Sequence, residues 1–289
     1  EHVSVSRIIQ GTMNFNKKGM NAEDVRELML HRISHGVTTF DTAQIYADYQ
    51  NEILIGQALK IDPSLKDQIQ IITKTGITLK SSGASLNHYD TTKANIIKSC
   101  QESLEKLGVD VIDVYLIHRE DPLINHQEVA EALDHCFEKG YIRSYGVSNF
   151  DPFKFGALNS KTNRKLITNQ IEFSLTCFEH IDNGNMDYLQ QENVKPLFWS
   201  PLSGGRLENP QDETTREIVD RLESFALKYG VSKEALILAW LMHHPVHGAP
   251  IIGTTRKDRF ESLLESMKVS IDHEDWYAMY LLNQARRLR

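Results

Sequence analysis

The feature that most constrains the fold is an alternation of short apolar runs with longer segments of helical periodicity. The apolar runs are rich in Val, Ile, Thr and aromatic residues, and several are continuous rather than alternating in polarity. Strands buried on both faces have this composition, which favours a parallel sheet covered by helices. The eight predicted strands are RIIQGTM (7–13), VTTFDT (37–42), IQIITKT (69–75), VIDVYLIH (111–118), IRSYGVSN (142–149), TNQIEF (168–173), VKPLFWS (194–200) and APIIGT (249–254).

Helical patterns with recognisable start and stop residues fill the intervals between these runs. Asn21 is expected to cap one helix, and Gly36 is expected to end it. Ser232 and Pro245 mark the start and end of another in the same way. The predicted helical segments are residues 21–36, 90–108, 125–140, 211–230 and 232–244.

A strand followed by a helix, repeated about eight times in a chain near the ~250-residue norm, is the outline of a (β/α)8 TIM barrel. A doubly wound sheet is the structural alternative, but no GxGxxG follows the first predicted strand. Because no long linker or low-complexity tract interrupts the pattern, we predict a single α/β domain over residues 1–289. The long interval before the eighth strand predicts an inserted helix or loop.

Charge and cysteine content exclude several functional classes. The chain has 32 Lys+Arg against 39 Asp+Glu and no dense basic run, which argues against nucleic-acid binding. No apolar stretch is long enough to span a bilayer, and no signal-peptide pattern opens the sequence, which begins at Glu1 without Met. The three cysteines lack CxxC spacing, as expected in a reducing compartment. We therefore predict a cytoplasmic protein with no membrane or nucleic-acid partner.

Polar residues stand where several predicted strands end. The active site of a (β/α)8 barrel lies at the carboxyl ends of its strands, so these side chains would share one face. A single aspartate at a strand end is usually a turn residue, and a single lysine or histidine there is usually structural. Three ionisable groups on neighbouring strands, with Tyr46 just beyond one of them, indicate a site. The strand-end residues are Asp41, Lys74, His118, Ser148, Asn149, Gln170, Trp199 and Ser200.

Six segments, in this order along the chain, resemble motifs of the aldo-keto reductase family. The resemblance is strongest to the bacterial, short-looped general oxidoreductases of that family. It spans nearly the whole chain and implies a (β/α)8 barrel that reduces carbonyl groups with a nicotinamide cofactor. The segments are FDTAQIY (40–46), ITKTG (72–76), LIH (116–118), YGVSNF (145–150), TNQIEFS (168–174) and FWSPLSGGRL (198–207).

The resemblance assigns a catalytic tetrad to Asp41, Tyr46, Lys74 and His118. In this assignment Tyr46 is the general acid in reduction, and His118 donates a hydrogen bond to the carbonyl oxygen. A free tyrosine, with a pKa of about 10, is a weak acid at neutral pH. Lys74 is expected to lower that pKa, and Asp41 is expected to keep Lys74 charged.

The resemblance also implies NADPH (NADP+) as cofactor. Ser148, Asn149 and Gln170 correspond to residues that bind the nicotinamide carboxamide, and Trp199 stands where many members stack a tyrosine on the ring. For the 2′-phosphate, Thr254 or Thr255 with Arg256, Lys257 or Arg259 remain open choices. The other predicted cofactor-binding residues are Ser200, Leu202, Gly204, Arg206 and Gly253.

Some positions depart from the family pattern. Ser262 and Leu263 replace a Glu-Asn pair near the adenine. Glu120 is expected to add charge near the mouth of the site. Because the chain ends at QARRLR (284–289), without a long C-terminal loop, we expect an open pocket, lined in part by Met13, Phe15, Tyr46 and the loop after His118.

The sequence therefore predicts a monomeric or weakly oligomeric, NADPH-dependent aldo-keto reductase of small aldehydes and ketones. The alternative is a nicotinamide-binding redox sensor or scaffold of the same fold with little turnover. The intact tetrad argues against it. A metal-dependent hydrolase would need clustered ligands, and only Asp41 and His118 qualify at the strand ends, so we predict no metal site.

Overall fold

The computed structural model describes residues 3–283, apart from the side chain of Thr214. Eight parallel strands form a closed barrel in the order β1-β10-β9-β8-β7-β6-β3-β2, which confirms the predicted (β/α)8 fold. The segment QARRLR (284–289), on which the expectation of an open pocket depended, lies outside the described residues.

All eight predicted strands are present, and β2 and β10 are buried along their whole length, as expected for strands covered on both faces. A short antiparallel pair, β4 with β5, follows β3 and was not predicted, because its two-residue strands carry no periodic signal. The strands are β1 (Ile9–Gly11), β2 (Thr39–Asp41), β3 (Gln70–Thr75), β4 (Ile77–Thr78), β5 (His88–Tyr89), β6 (Ile112–Ile117), β7 (Ile142–Ser148), β8 (Asn169–Glu172), β9 (Leu197–Trp199) and β10 (Ala249–Ile252).

The five predicted helices are confirmed as α1, α3, α4, α8 and α9, each slightly shorter than the sequence pattern, and α8 and α9 fill the insertion before β10. The helices are α1 (Ala22–Ser34), α2 (Asn51–Ile61), α3 (Lys93–Leu107), α4 (His126–Glu138), α5 (Pro152–Asn159), α6 (Glu179–Asp182), α7 (Asn185–Glu192), α8 (Glu213–Tyr229), α9 (Lys233–His243), α10 (Lys257–Leu264) and α11 (His273–Tyr280). Single 3-10 turns occupy Pro63–Asp67, Lys80–Ser82, Ser203–Gly205 and Glu265–Lys268.

The capping residues read from the sequence form the expected hydrogen bonds. Asn21 Oδ1 accepts from the amide of Asp24 at 3.0 Å, and the Asp24 carboxylate accepts from the amide of Asn21 at 2.9 Å. Ser232 Oγ accepts from the amide of Ala235 at 3.2 Å. Such caps contribute about 1 kcal/mol each. Their residue types helped to locate α1 and α9 in the sequence.

Residues 1–170 and residues 171–289 each form a compact unit, called here the N-terminal unit and the C-terminal unit. The single domain predicted over residues 1–289 stays a prediction. The core of the C-terminal unit contains Trp240 stacked on Trp276, with ring centroids 4.9 Å apart, and each indole N–H donates to the other residue's backbone carbonyl. No helix among residues 3–283 is long and apolar enough to cross a membrane.

Candidate active site

A buried ion pair between Lys74 and Asp41 is the centre of the site in the N-terminal unit. The Lys74 side chain is fully buried, and its ammonium donates to both carboxylate oxygens of Asp41 at 2.8 Å. The same ammonium donates to the backbone carbonyl of Thr42 at 2.6 Å. Parallel pairing of β2 with β3 brings the two strand ends together, so the contacts follow from the strand register.

The ion pair keeps Lys74 charged. Burial alone would lower the pKa of this lysine, but the Asp41 carboxylate has the opposite effect, and the pKa lies above its ordinary value. Asp41 also accepts a hydrogen bond from Gln170 Nε2 at 2.7 Å. The carboxylate of Asp41 thus lies where a counter-charge to Lys74 would stand, and its role in catalysis stays a prediction. The contribution of Gln170 to holding Asp41 was not anticipated.

Tyr46 is partly exposed and lies beside this ion pair. Its hydroxyl is 3.5 Å from Lys74 Nζ, which in turn lies 5.1 Å from the centre of the phenol ring. Burial raises the pKa of Tyr46, and Lys74 lowers it. Lys74 thus acts in the predicted direction, but burial is the stronger effect, and the pKa of the phenol lies above its ordinary value. Tyr46 is therefore protonated at neutral pH in this structure.

His118, at the end of β6, is buried and neutral at physiological pH. Burial lowers its pKa well below the usual value, and Lys74 and Arg119 add to the effect. Its ring meets the ring of Tyr46 edge-on, with centroids 6.0 Å apart. Nδ1 of His118 is buried without a hydrogen-bond partner among residues 3–283. A neutral imidazole next to a phenol can donate one hydrogen bond to a carbonyl oxygen without adding a second positive charge.

The three residues predicted to bind the nicotinamide carboxamide lie together. Ser148 Oγ donates to the carbonyl of Gln170 at 3.0 Å, and Asn149 Nδ2 donates to Ser148 Oγ at 2.8 Å. Asn149 has a φ of 63°, a left-handed conformation that is uncommon outside glycine. Gln170 connects this group to the tetrad through Asp41. Binding of the carboxamide by these residues stays a prediction.

Strand ends in the C-terminal unit carry the remaining predicted cofactor residues. Trp199 and Ser200 are partly exposed at the end of β9, and Ser200 has a φ of 49°. Strained backbone at a strand end is typical of ligand sites. The turn that follows contains Gly204 and Gly205 at φ values of 63° and 87°, conformations that favour glycine and allow close approach to a ligand.

The basic residues after β10 differ in their partners. Arg256 pairs with Asp258, and Arg259 forms an ion pair with Glu208. Lys257 is exposed and has no ion-pair partner within the described part of the chain. No side chain caps α10, whose N-terminal amides and partial positive charge suit an anion. Binding of a phosphate at this loop stays a prediction, and Lys257 is a cation with no ion-pair partner among residues 3–283.

Other candidate residues of this unit make contacts of their own. Gly253 is exposed, and Thr254 and Thr255 are partly exposed. Arg206 donates to Thr176 Oγ1 at 3.1 Å and lies 4.0 Å from the carboxylate of Glu172.

One expectation about the pocket is wrong. Phe15 is fully buried and cannot line an open pocket, although Met13 is 57% exposed. That Glu120 adds charge near the mouth stays a prediction, and its carboxylate accepts from the amide of Asp151 and from Lys154 Nζ, both at 2.6 Å. This contact holds the start of α5.

The positions replacing the Glu-Asn pair contribute to packing. Ser262 Oγ donates to Ser232 Oγ at 2.9 Å, and Leu263 is buried. A loss of adenine-side affinity at these positions stays a prediction.

A strained turn next to Tyr46 escaped the sequence reasoning. Ala47, Asp48 and Tyr49 have consecutive left-handed φ values of 50°, 57° and 66°. Conformations of this kind each cost an L-residue roughly 1–2 kcal/mol. The hydroxyl of Tyr49 accepts from the amide of Leu79 at 2.8 Å, so contacts with the segment after β4 support the turn. No glycine in the sequence signals this conformation.

Comparisons with known proteins show the family and the fold. The chain matches the Aldo/keto reductase family over residues 7–283. It is 39% identical to a 6-dehydroglucose reductase of Agrobacterium fabrum (strain C58), over 86% of this chain and 84% of the relative. It is 36% identical to Oxidoreductase YdhF of Escherichia coli (strain K12), over 94% and 91%. A crystal structure of a thermostable aldo-keto reductase, Tm1743, in complex with the inhibitor epalrestat has the same fold, with a TM-score of 0.81, 24% identity, and 96% and 95% coverage.

Proposed function

The chain belongs to the aldo/keto reductase family, and from this premise we propose that it catalyses the NADPH-dependent reduction of aldehydes and ketones to alcohols. The observation that supports the proposal most strongly is the fully buried Lys74 ammonium, which binds the Asp41 carboxylate at 2.8 Å and lies 3.5 Å from the Tyr46 hydroxyl. Burying two charges carries a desolvation penalty, and apolar side chains could fill the same space without it. A buried ion pair beside a phenol therefore indicates a functional site.

Tyr46 supplies the proton in this mechanism. When bound, the nicotinamide supplies the hydride that the carbonyl carbon accepts. As negative charge develops on the carbonyl oxygen, the Tyr46 O–H transfers its proton there, and the phenol is reprotonated from solvent. Lys74 stabilises the phenolate left behind. The raised pKa of Tyr46 keeps the acid form available throughout the neutral range.

His118 orients the carbonyl group. Because its imidazole is neutral, one ring nitrogen carries a proton and donates it in a hydrogen bond to the carbonyl oxygen. Together, Tyr46 and His118 form a small oxyanion hole, whose donors act on the transition state more than on the ground state.

The C-terminal unit carries candidate cofactor contacts of its own. Trp199 would stack on the nicotinamide ring, and Gly204 would allow the backbone to approach the pyrophosphate. The uncapped start of α10 and the cation of Lys257, which has no ion-pair partner in the described range 3–283, favour a 2′-phosphate, and so NADPH over NADH. Arg259 can join this site if it exchanges Glu208 for phosphate.

Exposed apolar side chains on the loops after β1 and β6 and in the first turn of α5 favour a substrate with an apolar body. Met13, Leu123 and Phe153 are 57%, 90% and 86% exposed, respectively. These segments follow the carboxyl ends of barrel strands, where substrates of this fold bind. Two bacterial relatives, 39% and 34% identical, are named 6-dehydroglucose reductase, a name that describes a sugar carbonyl. A substrate panel therefore has to include both apolar carbonyl compounds and a sugar carbonyl.

The alternative, a nicotinamide-binding sensor or scaffold, is less favoured. The four tetrad residues are present with a charged Lys74 and a protonated Tyr46, and relatives that cover most of the chain are named reductases or oxidoreductases. We further propose that the enzyme is cytoplasmic. All three cysteines are free thiols rather than disulfides, as expected in a reducing compartment. A monomer or weak oligomer is our proposed state.

A carbonyl panel run with NADPH and NADH side by side tests the proposal. The purified chain is assayed at 340 nm with 6-dehydroglucose, an aromatic aldehyde and an aliphatic ketone. We expect turnover of at least one carbonyl and a higher kcat/KM with NADPH. Nicotinamide binding without turnover across the panel would favour the sensor, and a preference for NADH would overturn the assignment of the phosphate site.

A further inference from the structure

Two buried polar residues begin α2. Asn51 and Glu52 are fully buried, although the first turn of a helix between barrel strands is usually a place for exposed polar residues. Neither residue is the N-cap, which is Gln50 and makes no side-chain cap hydrogen bond. Helix capping therefore does not explain why an amide and a carboxyl group are buried here.

Asn51 binds the ends of two barrel strands at once. Its Nδ2 donates to Thr12 Oγ1 at 2.7 Å and to Thr42 Oγ1 at 2.9 Å. Thr12 follows β1, and its hydroxyl donates to the carbonyl of Asp41 at 3.0 Å. Both hydrogen bonds of the amide thus act on the Asp41–Thr42 segment, one directly and one through Thr12.

Among residues 3–283, that segment provides every close acceptor of the Lys74 ammonium except the Tyr46 hydroxyl. Asp41 contributes its two carboxylate oxygens, and Thr42 contributes its carbonyl at 2.6 Å, the shortest of the contacts. The position of the Thr42 backbone therefore determines how far the ammonium lies from Tyr46. A shift of a few tenths of an ångström would lengthen a contact that is already 3.5 Å.

The neighbouring Glu52 holds the other strand of the ion pair. Its Oε1 accepts from the hydroxyl of Thr73, which precedes Lys74 on β3, at 2.6 Å. Adjacent residues of one helix thus fix the strands that carry Asp41 and Lys74. Glu52 binds Thr73, the residue before Lys74 on β3. Asn51 instead binds Thr42, whose carbonyl accepts from the Lys74 ammonium.

We propose that Asn51 is a positioning residue for the reaction, which holds the Thr42 carbonyl where it directs the Lys74 ammonium toward Tyr46. The inference rests on the proposed function, since it assigns to Asn51 a role in the proton transfer from Tyr46. The side-chain amide of Asn51 donates to Thr12 and Thr42, and only its backbone amide binds Tyr46, at the backbone carbonyl 3.2 Å away. Asn51 does not belong to the tetrad.

A merely structural role would produce a different pattern. Loss of two buried hydrogen bonds lowers thermal stability wherever it occurs. Asn185 is a matched control, because it is also fully buried, is also the first residue of its helix, and contacts His180 at 2.9 Å. It lies in the C-terminal unit, outside the contacts of the ion pair.

The experiment compares Asn51→Ala and Asn185→Ala for kcat, NADPH affinity and Tm. Since a misplacement on the ångström scale can cost about 100-fold, we expect Asn51→Ala to lower kcat about 10- to 100-fold. The Kd of Asn51→Ala for NADPH should stay within about 3-fold of the wild-type value. Asn185→Ala should have a lower Tm and a wild-type kcat. Equal kcat effects in the two variants, or an unchanged kcat in Asn51→Ala, would overturn the inference.

Thr42→Val is a second variant, because it removes the hydroxyl that Asn51 binds and keeps the carbonyl. Positioning through Thr42 predicts that Thr42→Val reproduces the kcat defect and that the two changes together are not additive. Additive losses would contradict the proposed route. If Asn51→Ala does not fold, Thr42→Val alone decides, with loss of kcat expected and an unchanged kcat contradicting the inference.

A readout independent of turnover separates this inference from the proposed function. The ionisation of Tyr46 is followed with ring-labelled tyrosine by NMR, and its signal is assigned with Tyr46→Phe. In Asn51→Ala the phenol should ionise at higher pH than in the wild type, because a displaced Lys74 stabilises the phenolate less. An unchanged titration contradicts the positioning role even if the wild type turns over, whereas an inactive wild type contradicts only the proposed function.

Discussion

The strand ends of the N-terminal unit and those of the C-terminal unit are built differently. In the first, Lys74 and Asp41 are almost completely buried and hydrogen-bonded to each other, to Gln170 and to Thr42. In the second, charged side chains near the predicted phosphate site are exposed or half-buried, and Arg259 is paired with a surface carboxylate, Glu208.

This difference assigns the chemical step to the N-terminal unit and cofactor affinity to the strand ends of the C-terminal unit. A buried, fully hydrogen-bonded ion pair cannot rearrange without a large cost, so its geometry is set before substrate arrives. An exposed ion pair contributes about 0–1 kcal/mol and can be exchanged for a ligand. Changes in the N-terminal unit should therefore act on kcat, and changes at the C-terminal strand ends should act on NADPH affinity.

Lys74→Met should give the largest effect on both stability and rate. It leaves the Asp41 carboxylate buried without its partner, a loss of about 3–5 kcal/mol in the free energy of unfolding. Because the phenolate of Tyr46 also loses its neighbouring cation, kcat for carbonyl reduction should fall at least ~100-fold. Urea unfolding and steady-state assays at saturating NADPH measure the two losses.

The double variant Asp41→Asn with Lys74→Met is the control for folding. Removing both charges should recover most of the stability, since the remaining groups are neutral. It should not recover kcat. A double variant as active as the wild type would show that the ion pair is needed only for folding.

The pH profile of kcat/KM shows whether the pKa of the Tyr46 phenol is raised by burial or lowered by Lys74. Reduction needs Tyr46 protonated, so kcat/KM is lost as pH rises through its pKa, and that pKa is raised in the structure. His118 stays neutral until the pH falls below its lowered pKa. With ordinary values of about 10 for Tyr and 6.5 for His, kcat/KM for reduction should be flat between roughly pH 6.5 and 10. A fall centred near pH 8 would show that Lys74 outweighs burial.

Arg259→Ala and Glu208→Gln should give smaller and opposite effects on the cofactor. If Arg259 exchanges Glu208 for phosphate, Arg259→Ala should weaken NADPH binding about 10-fold, the size of one charge-assisted contact. Glu208→Gln should tighten it about 2- to 3-fold, because an exposed competitor is removed. Fluorescence titration with NADPH and NADH measures both. Equal effects on the two cofactors would contradict a 2′-phosphate contact.

The fold was predictable because its signals are local. Continuous apolar runs identified all eight barrel strands, and capping residues such as Asn21 and Ser232 located two of the helices. Helix α2, which has no side-chain cap, and helix α5, which is capped by Asp151, were both missed, so a cap alone did not decide which helices were located. β4 and β5 were missed because they are too short to show periodicity.

The site was predictable in its residues more than in its interactions. Tetrad members stand at strand ends within motifs, and a barrel brings strand ends together. The Asp41–Gln170 contact joins residues far apart in sequence, and the net pKa of Tyr46 depends on burial, so neither could be read from a motif. The pairing of Arg259 with Glu208 likewise depends on how two loops meet.

The most direct test of the central claim is Tyr46→Phe, which removes one hydroxyl and keeps the ring. Loss of a general acid typically costs 10²–10⁴-fold, so kcat for carbonyl reduction should fall by about that factor. The Kd for NADPH should stay within about 3-fold, because no cofactor contact is assigned to Tyr46. Turnover close to the wild-type rate, or weakened NADPH binding as the main defect, would contradict the assignment of Tyr46 as the proton donor.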